Sequence, residues 1–428
     1  MYYFIGIKGT GMSALAVILK QLGYEVMGSD VEKHFFTESE LVKNHIPFYV
    51  YDDGNIHEGM TIIKGASIKE SNSELIRARS LGLEILEYHD MVGKLSREFK
   101  TICVAGCHGK TTTTNMMALA LKEQGINYLI GDGTGSASKD NSYFALESCE
   151  YKRHFLAYQP YYAVITNIDL DHVDYYKNID DVIDAYTDYA NHATKEIIAW
   201  GDDPYTRKMN VTKPIKFFGL GKDNDIRATY VKYHSDGISF TVDGYGKFDL
   251  PIYGTHQLLD ALAVISVCVE EGIPYDKVAN NLKEFVGAKR RFSEKKVKDS
   301  VIIDDYAHHP NEVKATVEAI RQKYPDKQLV IVFQPHTFSR TREFAHDLVE
   351  VFKLANYSYV LPIHPAREKQ EDYPDITSEI IVKDLKNGEV IGMEDASKIL
   401  KNKPCVYAFM SPNDISELEN NLEELLKI

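Results

Sequence analysis

The chain has 428 residues, of which 44% are hydrophobic, and its formal net charge is −14. At roughly 150 residues per domain, this length predicts about three domains with buried cores. The negative charge argues against non-specific nucleic-acid binding, and no apolar run is long enough to span a membrane. The N-terminus lacks the basic segment of a secretion signal, and the five cysteines are scattered, so we expect a reducing, cytoplasmic location.

The first predicted unit begins with a strand at residues 3–7, which runs into the glycine turn of residues 6–13. A helix and a second strand at residues 24–27 follow, and that strand leads to Gly28-Ser29-Asp30. Asp30 lies about where a doubly wound nucleotide-binding unit places an acid for a ribose or a base. Lys8 departs from the dinucleotide pattern, which favours a nucleotide diphosphate over NAD. The alternative interpretation is a tight turn between a strand and a helix that binds no ligand.

A second glycine turn, Gly106-Cys107-His108-Gly109-Lys110-Thr111, follows the apolar strand of residues 102–105 and precedes a helix. Glycines let backbone N–H groups approach phosphate oxygens, and the start of the helix adds positive potential. Lys110 adds a full charge, and Thr111 offers a hydroxyl to the Mg²⁺ that accompanies a nucleotide. This loop is shorter than the common P-loop, and an exposed basic turn is the alternative. The strand before it and the helix after it favour nucleotide phosphate binding.

Two further candidate site residues follow strands in the same region. Glu147 ends the predicted strand of residues 144–147, and His172 comes shortly after the strand of residues 162–165. Open α/β sheets bind ligands at the carboxyl ends of their strands. Either side chain alone is compatible with a solvated or capping role. Together with Thr111 they predict a metal site. Short strands separated by glycine and aspartate turns are predicted for residues 226–251.

The C-terminal third is predicted to form another α/β unit, preceded by the basic stretch Lys289-Arg290-Arg291. Three of its predicted strands end in polar clusters, within residues 304–309, 334–342 and 364–368. One such cluster is compatible with a surface loop. Three clusters on the edge of one sheet predict a site for anionic small molecules. The basic stretch is compatible with a solvated face, and it could equally reach a triphosphate, where an arginine would stabilise a transferring phosphoryl group.

Taken together, these motifs resemble the Mur ligase family over nearly the whole chain. They are Gly6-x-x-Gly-x-Gly-Met-Ser13, Ser29-Asp30, Gly106-x-His-Gly-Lys-Thr-Thr-Thr-Thr114, Glu147, Thr166-Asn167 with Asp171-His172, Lys289-Arg-Arg-Phe292, Asp304-Asp-Tyr-Ala-His-His-Pro310, Pro335-His-Thr-Phe-Ser-Arg-Thr341 and Pro365-Ala-Arg-Glu368. The stretches around His308 and His336 are similar to those of the alanine-adding members. The resemblance implies an α/β fold of three domains: a Rossmann-like UDP-sugar-binding domain (1–98), a central P-loop ATPase domain (99–293) and a Rossmann-like amino-acid-binding domain (294–428).

The resemblance also implies a reaction, a step of peptidoglycan precursor synthesis. ATP phosphorylates the lactyl carboxylate of UDP-N-acetylmuramate, and the amine of L-alanine attacks the acyl phosphate. ADP and phosphate leave. The implied cofactors are ATP and Mg²⁺, and neither a nucleic acid nor a membrane is an expected partner. A monomer or a weak homodimer is expected.

The family's residue roles transfer to matching positions as expectations. The UDP-sugar-binding set is Gly9, Thr10, Gly11, Met12, Ser13, Ser29 and Asp30. The ATP-binding set is Gly106, Cys107, His108, Gly109, Lys110, Thr111, Thr112, Asp260, Arg291 and Asp305. The amino-acid-binding set is Tyr306, His308, His336 and Arg340, and the metal ligands are Thr111, Glu147 and His172. The catalytic set is Lys110, His172, Arg291, His308 and Arg340.

Two departures from the family pattern stand out. Asp260 replaces an asparagine implied to face adenine, and an ionised carboxylate accepts hydrogen bonds without donating any. Pro412 lies where the family has a glycine-rich turn, and it removes a backbone donor. Two alternatives therefore stay open at this stage. One is a sister ligase that attaches a tripeptide to the same nucleotide sugar, and the other is a nucleotide-sugar-binding homologue without ligase activity.

Overall fold

The computed structural model describes residues 1–173, 175–288 and 290–428, so Lys289 of the basic stretch lies outside the described residues. The chain divides into two compact units. The first comprises Met1–Thr229, Val242–Gly246 and Leu259–Glu284, and the second comprises Tyr230–Thr241, Lys247–Leu258 and Phe285–Ile428. Among the described residues, no helix is both long and apolar enough to cross a bilayer.

The N-terminal part of the first unit is a parallel sheet with the strand order β3-β2-β1-β4-β5. Its elements are β1 (Tyr2–Ile5), α1 (Thr10–Gln21), β2 (Val26–Asp30), α2 (Glu38–Lys43), β3 (Phe48–Val50), β4 (Thr61–Lys64), α3 (Ser73–Ser80), β5 (Ile85–Glu87) and α4 (Tyr88–Leu95). The central strand β1 is apolar on both faces, as a strand covered by helices requires. The predicted doubly wound unit is confirmed. The second strand was predicted at residues 24–27, but it lies further along the chain, at Val26–Asp30.

A larger sheet has the order β15-β14-β13-β12-β11-β10-β6-β9-β7-β8 among the described residues. Its elements are β6 (Lys100–Ala105), α5 (Lys110–Ala120), β7 (Ile126–Leu129), β8 (Gly135–Ser136), β9 (Tyr143–Glu147), β10 (Tyr162–Ile165), α6 (Ile179–Ala190), β11 (Glu196–Trp200), β12 (Ile215–Gly219), β13 (Ile226–His234), β14 (Gly237–Val242), β15 (Gly246–Leu250), α7 (Gly254–Glu270) and α8 (Tyr275–Leu282). Strands β9, β6 and β10 are parallel neighbours, so their carboxyl ends share one edge. The β-rich segment expected at residues 226–251 is confirmed as β13–β15.

The C-terminal sheet, with the order β16-β17-β21-β18-β19-β20, belongs to the second unit. Its elements are β16 (Ser293–Val297), β17 (Ser300–Asp305), α9 (Pro310–Lys323), β18 (Gln328–Phe333), α10 (Phe338–Phe352), β19 (Tyr357–Val360), α11 (Glu379–Val382), β20 (Gly388–Val390), α12 (Ala396–Ile399), β21 (Cys405–Met410) and α13 (Ser416–Lys427). The edge strand β16 is antiparallel to β17, and the other pairs are parallel. Apolar clusters pack on both faces of this sheet. The three predicted polar clusters follow β17, β18 and β19, whose carboxyl ends share one edge.

A buried carboxylate ties together the amino ends of three strands in the first unit. Glu271 accepts hydrogen bonds from the hydroxyls of Tyr143 (2.5 Å) and Tyr162 (2.8 Å) and from Nζ of Lys195 (2.6 Å). These donors lie at the starts of β9, β10 and β11. Burial alone raises the pKa of Glu271, but the three donors outweigh it and lower the pKa to about 2. Glu271 therefore carries a charge that is well paired inside the fold.

Replacing Glu271 by glutamine should destabilise the protein, because Lys195 would lose its anionic partner and two tyrosine hydroxyls would lose a charged acceptor. We expect the free energy of unfolding to fall by about 2 to 3 kcal/mol, measured by urea denaturation. The matched control is Glu123→Gln, which removes the surface pair with Lys277 and should change stability by less than about 0.5 kcal/mol. Equal effects of the two variants would contradict the assigned importance of Glu271.

Candidate functional site

The first glycine turn leaves the start of α1 accessible to a ligand. Gly6 has a φ of +89°, and the Gly9 N–H donates to the Gly6 carbonyl at 3.2 Å. Gly9 is the N-cap of α1, and no side chain caps the helix. Thr10, Gly11 and Met12 at the start of α1 therefore present backbone N–H groups of the kind that bind phosphate, whereas the Ser13 N–H donates to the Gly9 carbonyl at 2.8 Å.

Asp30 and Ser29 contact the protein itself. The Asp30 carboxylate accepts from the backbone N–H groups of Lys8 (2.8 Å) and Val31 (2.7 Å). Ser29 is fully buried, and its hydroxyl donates to Glu74. Glu74 also accepts from the Tyr3 hydroxyl at 3.0 Å. The sequence interpretation missed Glu74, whose only signal is an acid in the first turn of α3.

Lys8 has a structural role that the sequence interpretation also missed. Its Nζ donates to the carbonyls of Val31 (2.9 Å) and Lys33 (3.0 Å) and lies 2.9 Å from Oε1 of Glu38. The hydrogen bond from Lys8 is the main reason that the pKa of Glu38 falls to about 2. Lys8 thus fixes the segment between β2 and α2.

The second glycine turn is closed by glycines at both ends. Gly106 and Gly109 have φ values of +147° and +82°, and Gly109 is the N-cap of α5. A Cβ at Gly106 would collide with the Thr166 hydroxyl, and one at Gly109 would collide with the Asp260 carboxylate. The Asn167 side-chain oxygen accepts from the His108 N–H at 2.9 Å, and the Thr166 hydroxyl donates to the His108 carbonyl at 2.6 Å. The Thr166-Asn167 pair, which follows β10, therefore shapes the turn.

Lys110 lies at the start of α5 and is held by an acid that the sequence interpretation did not select. Its Nζ donates to the Gly106 carbonyl at 2.5 Å and to Oε1 and Oε2 of Glu150 at 3.1 and 2.9 Å. Burial lowers the pKa of Lys110, but the charge of Glu150 outweighs it, so the pKa is raised. Lys110 is therefore a full cation beside the turn.

Glu150, Asp171 and His172 form a group that could hold a metal ion, since their possible ligand atoms all lie within 4.8 Å of one another. Two carboxylates and one imidazole form a donor set that can bind Mg²⁺ together with water. Of the predicted ligands, His172 belongs to this group. Glu147 accepts from the Gly131 N–H at 2.8 Å. Glu150 and Asp171 were missed, although each is an acid close in sequence to a predicted ligand.

Asp260 lies on α7 against the helix that follows the second glycine turn. Its side chain is 5% exposed, and its Oδ1 accepts from the Thr113 hydroxyl at 3.1 Å. The carboxylate is thus in contact with α5 and next to Gly109. A buried carboxyl group therefore lies beside the predicted phosphate-binding turn.

In the second unit, the carboxylate of Asp305 stabilises the backbone just before β16 and just after β17. Its carboxylate accepts from the N–H groups of Phe292 (2.9 Å) and Ala307 (2.8 Å), and burial raises its pKa to about 6. The charge of Arg291 opposes this rise in the pKa of Asp305. Nη1 of Arg291 lies 3.6 Å from Oε1 of Glu312, and its guanidinium lies 4.8 Å from the ring centre of Tyr306. Arg291 and Tyr306, which were assigned to ATP and to the amino acid respectively, are therefore in contact, and the Asp305 carboxylate bonds to the backbone.

Three histidines and an arginine converge after strands β17, β18 and β19. Arg340 donates to Nε2 of His308 at 3.0 Å, and the rings of His336 and His364 are stacked with centres 5.6 Å apart. Burial is the main cause that lowers the pKa of His336 to about 4, and the nearby cationic groups lower it further. Glu368 accepts from the N–H groups at the start of α10, which orients Arg340 in its first turn. His364 and Glu368 had been recognised only as parts of motifs.

The unusual turn around Pro412 is stabilised by an arginine. Nη2 of Arg290 donates to the carbonyls of Ser411 (2.7 Å) and Asn413 (2.9 Å). These bonds, within the second unit, give the turn a defined shape that does not depend on glycines.

The chain is similar over nearly its whole length to proteins of one family. The family models described as "Mur ligase family, catalytic domain", "Mur ligase middle domain" and "Mur ligase, glutamate ligase domain" match residues 1–100, 104–268 and 290–405. The UDP-N-acetylmuramate–L-alanine ligase of Lacticaseibacillus casei is 45% identical over 99% of this chain and 98% of its own length. The corresponding ligase of Lactiplantibacillus plantarum is 43% identical over 100% of this chain and 99% of its own length. The crystal structure of UDP-N-acetylmuramate-alanine ligase from Thermotoga maritima matches with a TM-score of 0.82 and 25% identity, covering 99% of this chain and 98% of that one.

Proposed function

The chain belongs to the Mur ligase family, and we propose that it joins the lactyl carboxylate of UDP-N-acetylmuramate to L-alanine at the expense of ATP. The observation that carries this proposal is the 45% identity, over 99% of the chain, to a ligase named for that reaction. The tripeptide-attaching alternative has no comparable support among these relatives. The product would serve peptidoglycan precursor synthesis, and the proposed location is the cytoplasm.

The proposed reaction has two steps that both need control of charge. A carboxylate oxygen of the substrate attacks the γ-phosphorus of ATP, the bond to the bridging oxygen breaks, and ADP leaves. The amine nitrogen of L-alanine then attacks the carbonyl carbon of the acyl phosphate, phosphate leaves, and the nitrogen loses a proton. The backbone N–H groups of the Gly106–Gly109 turn and the cation of Lys110 would bind the phosphates, because charge develops there.

We further propose that Mg²⁺ is held by Glu150, Asp171 and His172, with Thr111 close to the nucleotide. The divalent ion would neutralise negative charge on the nucleotide phosphates when bound. The resemblance also makes Glu147 a proposed metal ligand. To bind the ion, its carboxylate would have to give up the hydrogen bond from the Gly131 N–H. The buried carboxylates and the imidazole support this assignment, since they supply oxygen and nitrogen donors in one group.

The substrate sites are assigned to separate parts of the chain. The turn from Gly9 to Ser13 would bind the diphosphate of the UDP-sugar, and Asp30 would act by holding that turn and its own loop. In the second unit, Tyr306, His308, His336 and Arg340 would bind the amino acid, and Arg291 and Asp305 would contribute to ATP use. The corresponding domain boundaries, 1–98, 99–293 and 294–428, are part of this proposal, as is a monomer or weak homodimer.

The direct test is phosphate release with ATP, UDP-N-acetylmuramate and each amino acid in turn. We expect L-alanine to give the highest kcat/KM. Lys110→Ala should lower kcat at least about 100-fold, because one cation directed at developing charge is worth roughly 3 kcal/mol. The matched control is Lys122→Ala, a surface lysine paired with Glu284, which should keep normal turnover. Normal turnover of Lys110→Ala would contradict the assignment of the phosphate-binding turn.

Asp260→Asn should lower the KM for ATP by a few-fold. The variant keeps an acceptor for the Thr113 hydroxyl, replaces the carboxyl group beside the proposed phosphate site with a neutral amide, and supplies a donor to adenine. Initial rates over a range of ATP concentrations measure the effect, and the KM for UDP-N-acetylmuramate is the internal reference. An unchanged or higher KM for ATP would mean that the local contacts are adapted to the carboxylate.

Arg340→Ala should raise the KM for L-alanine by at least about 10-fold, since a charged hydrogen bond to a carboxylate contributes roughly 1.5 to 3 kcal/mol. The melting temperature should stay close to that of the original protein because Arg340 is only partly buried. Arg342→Ala, two residues further along α10, is the matched control and should leave that KM unchanged. Loss of stability without a selective effect on the amino acid would favour a purely structural role.

A further inference from the structure

One carboxylate lies between the proposed phosphate-binding lysine and the proposed cation site. Glu150 is 1% exposed, and its Oε1 is 3.1 Å from Nζ of Lys110 and 3.7 Å from Nε2 of His172. Its Oε2 is 2.9 Å from the same lysine. Both oxygens of Glu150 therefore face Lys110, and one of them also faces the group that could hold a divalent ion.

These two uses of Glu150 compete. A divalent cation bound by Glu150 would lie close to the ammonium of Lys110, and like charges at such a distance repel strongly inside a protein. A carboxylate that remains paired with Lys110 is also a weaker ligand, because much of its charge is already neutralised. Lys110 would have to move away before Glu150 could bind a cation well.

The backbone around Glu150 is fixed more firmly than the side chain of Lys110. Lys152 and Arg153 both have left-handed backbone conformations, with φ values of 52° and 57°, which are uncommon for residues other than glycine. Arg153 holds this segment to α6 through Asp181 (2.8 Å) and Asp188 (3.1 Å). The Glu150 carbonyl in turn accepts from the Tyr176 hydroxyl at 2.6 Å. A lysine has four rotatable side-chain bonds, so Lys110 is the partner expected to move.

We propose that Glu150 exchanges partners when nucleotide binds, releasing Lys110 to the phosphates and becoming a cation ligand with Asp171 and His172. This inference rests on the proposed function, in which ATP binds at the Gly106–Gly109 turn. The nucleotide and the divalent cation are then coupled through one carboxylate. Phosphate binding removes the competitor of the cation, and cation binding removes the competitor of the phosphate. Such coupling is reciprocal in the two binding affinities.

The exchange predicts that Glu150→Gln changes the affinity for nucleotide in opposite directions without and with a divalent cation. Without a divalent cation, Glu150 competes with phosphate for Lys110, so Glu150→Gln should bind a non-hydrolysable ATP analogue more tightly than the original protein. With Mg²⁺, the same variant lacks a cation ligand and should bind the analogue more weakly. We expect at least about five-fold in each direction, the lower end of typical coupling between sites. Isothermal titration calorimetry of the full chain, in EDTA and in Mg²⁺, measures both.

A second measurement uses the cation alone. Electron paramagnetic resonance of Mn²⁺ reports free and bound ion without any nucleotide. Lys110→Ala should bind Mn²⁺ at least about five-fold more tightly than the original protein, because Glu150 is then released from its ion pair. Glu150→Gln should bind it more weakly. This measurement keeps the proposal testable if Glu150→Gln reduces the stability of the protein.

Glu123→Gln is the matched control, since Glu123 is an exposed acid whose partner is Lys277 rather than Lys110. It should give no tighter analogue binding in EDTA. Effects of the same sign in both conditions, or no effect of Glu150→Gln, would overturn the exchange while leaving the nucleotide site intact. Absence of analogue binding by the original protein in either condition would instead overturn the proposed nucleotide site, and the exchange with it.

Discussion

A charged side chain that is buried on folding needs a partner of opposite charge or a hydrogen-bonding group. Several such pairs fix the conformation of the chain, two of them beside its candidate sites. Lys110 is paired with Glu150, Lys8 with Glu38, and Glu271 with a lysine and two tyrosines. Each pairing joins segments that are distant in sequence or that belong to different elements. Because an unpaired buried charge is strongly unfavourable, these contacts fix loops whose backbone would otherwise have several accessible conformations. The glycine turns can then present N–H groups in defined positions.

Parallel strands determine where these charges meet. The residues after β6, β9 and β10 lie at one edge because the three strands are adjacent and run in the same direction. The same rule brings together the polar segments after β17, β18 and β19 in the second unit. In each case the hydrophobic strand supplies the rigid support, and the polar residue one or a few positions beyond it supplies the chemistry.

Much of this arrangement was predictable from sequence because it depends on local patterns. The apolar run before Gly106 and the helically spaced apolar residues from Met116 to Leu121 identified a strand, a turn and a helix, and the family motifs identified His308, His336 and Arg340. The partners of charged side chains were not predictable in the same way. Glu150 was overlooked in favour of Glu147 because Glu147 ends strand β9 and Glu150 lies only three residues beyond it, and only the fold shows which of the two bonds to Lys110. Ser29 and Asp305 were expected to contact ligands. In the structure, the Ser29 hydroxyl donates to Glu74, and the Asp305 carboxylate accepts from two backbone N–H groups.

The restriction at Gly106 has a consequence for how this sequence can evolve. A side chain at that position is excluded by a φ of +147° and, separately, by the hydroxyl of Thr166. A smaller residue at 166 would remove the second obstacle but leave the first, and it would also remove the bond to the His108 carbonyl. No single substitution at position 166 therefore makes room for a side chain at position 106. The two positions should accept very few amino acids in any selection for a functional chain, even where neighbouring residues vary freely.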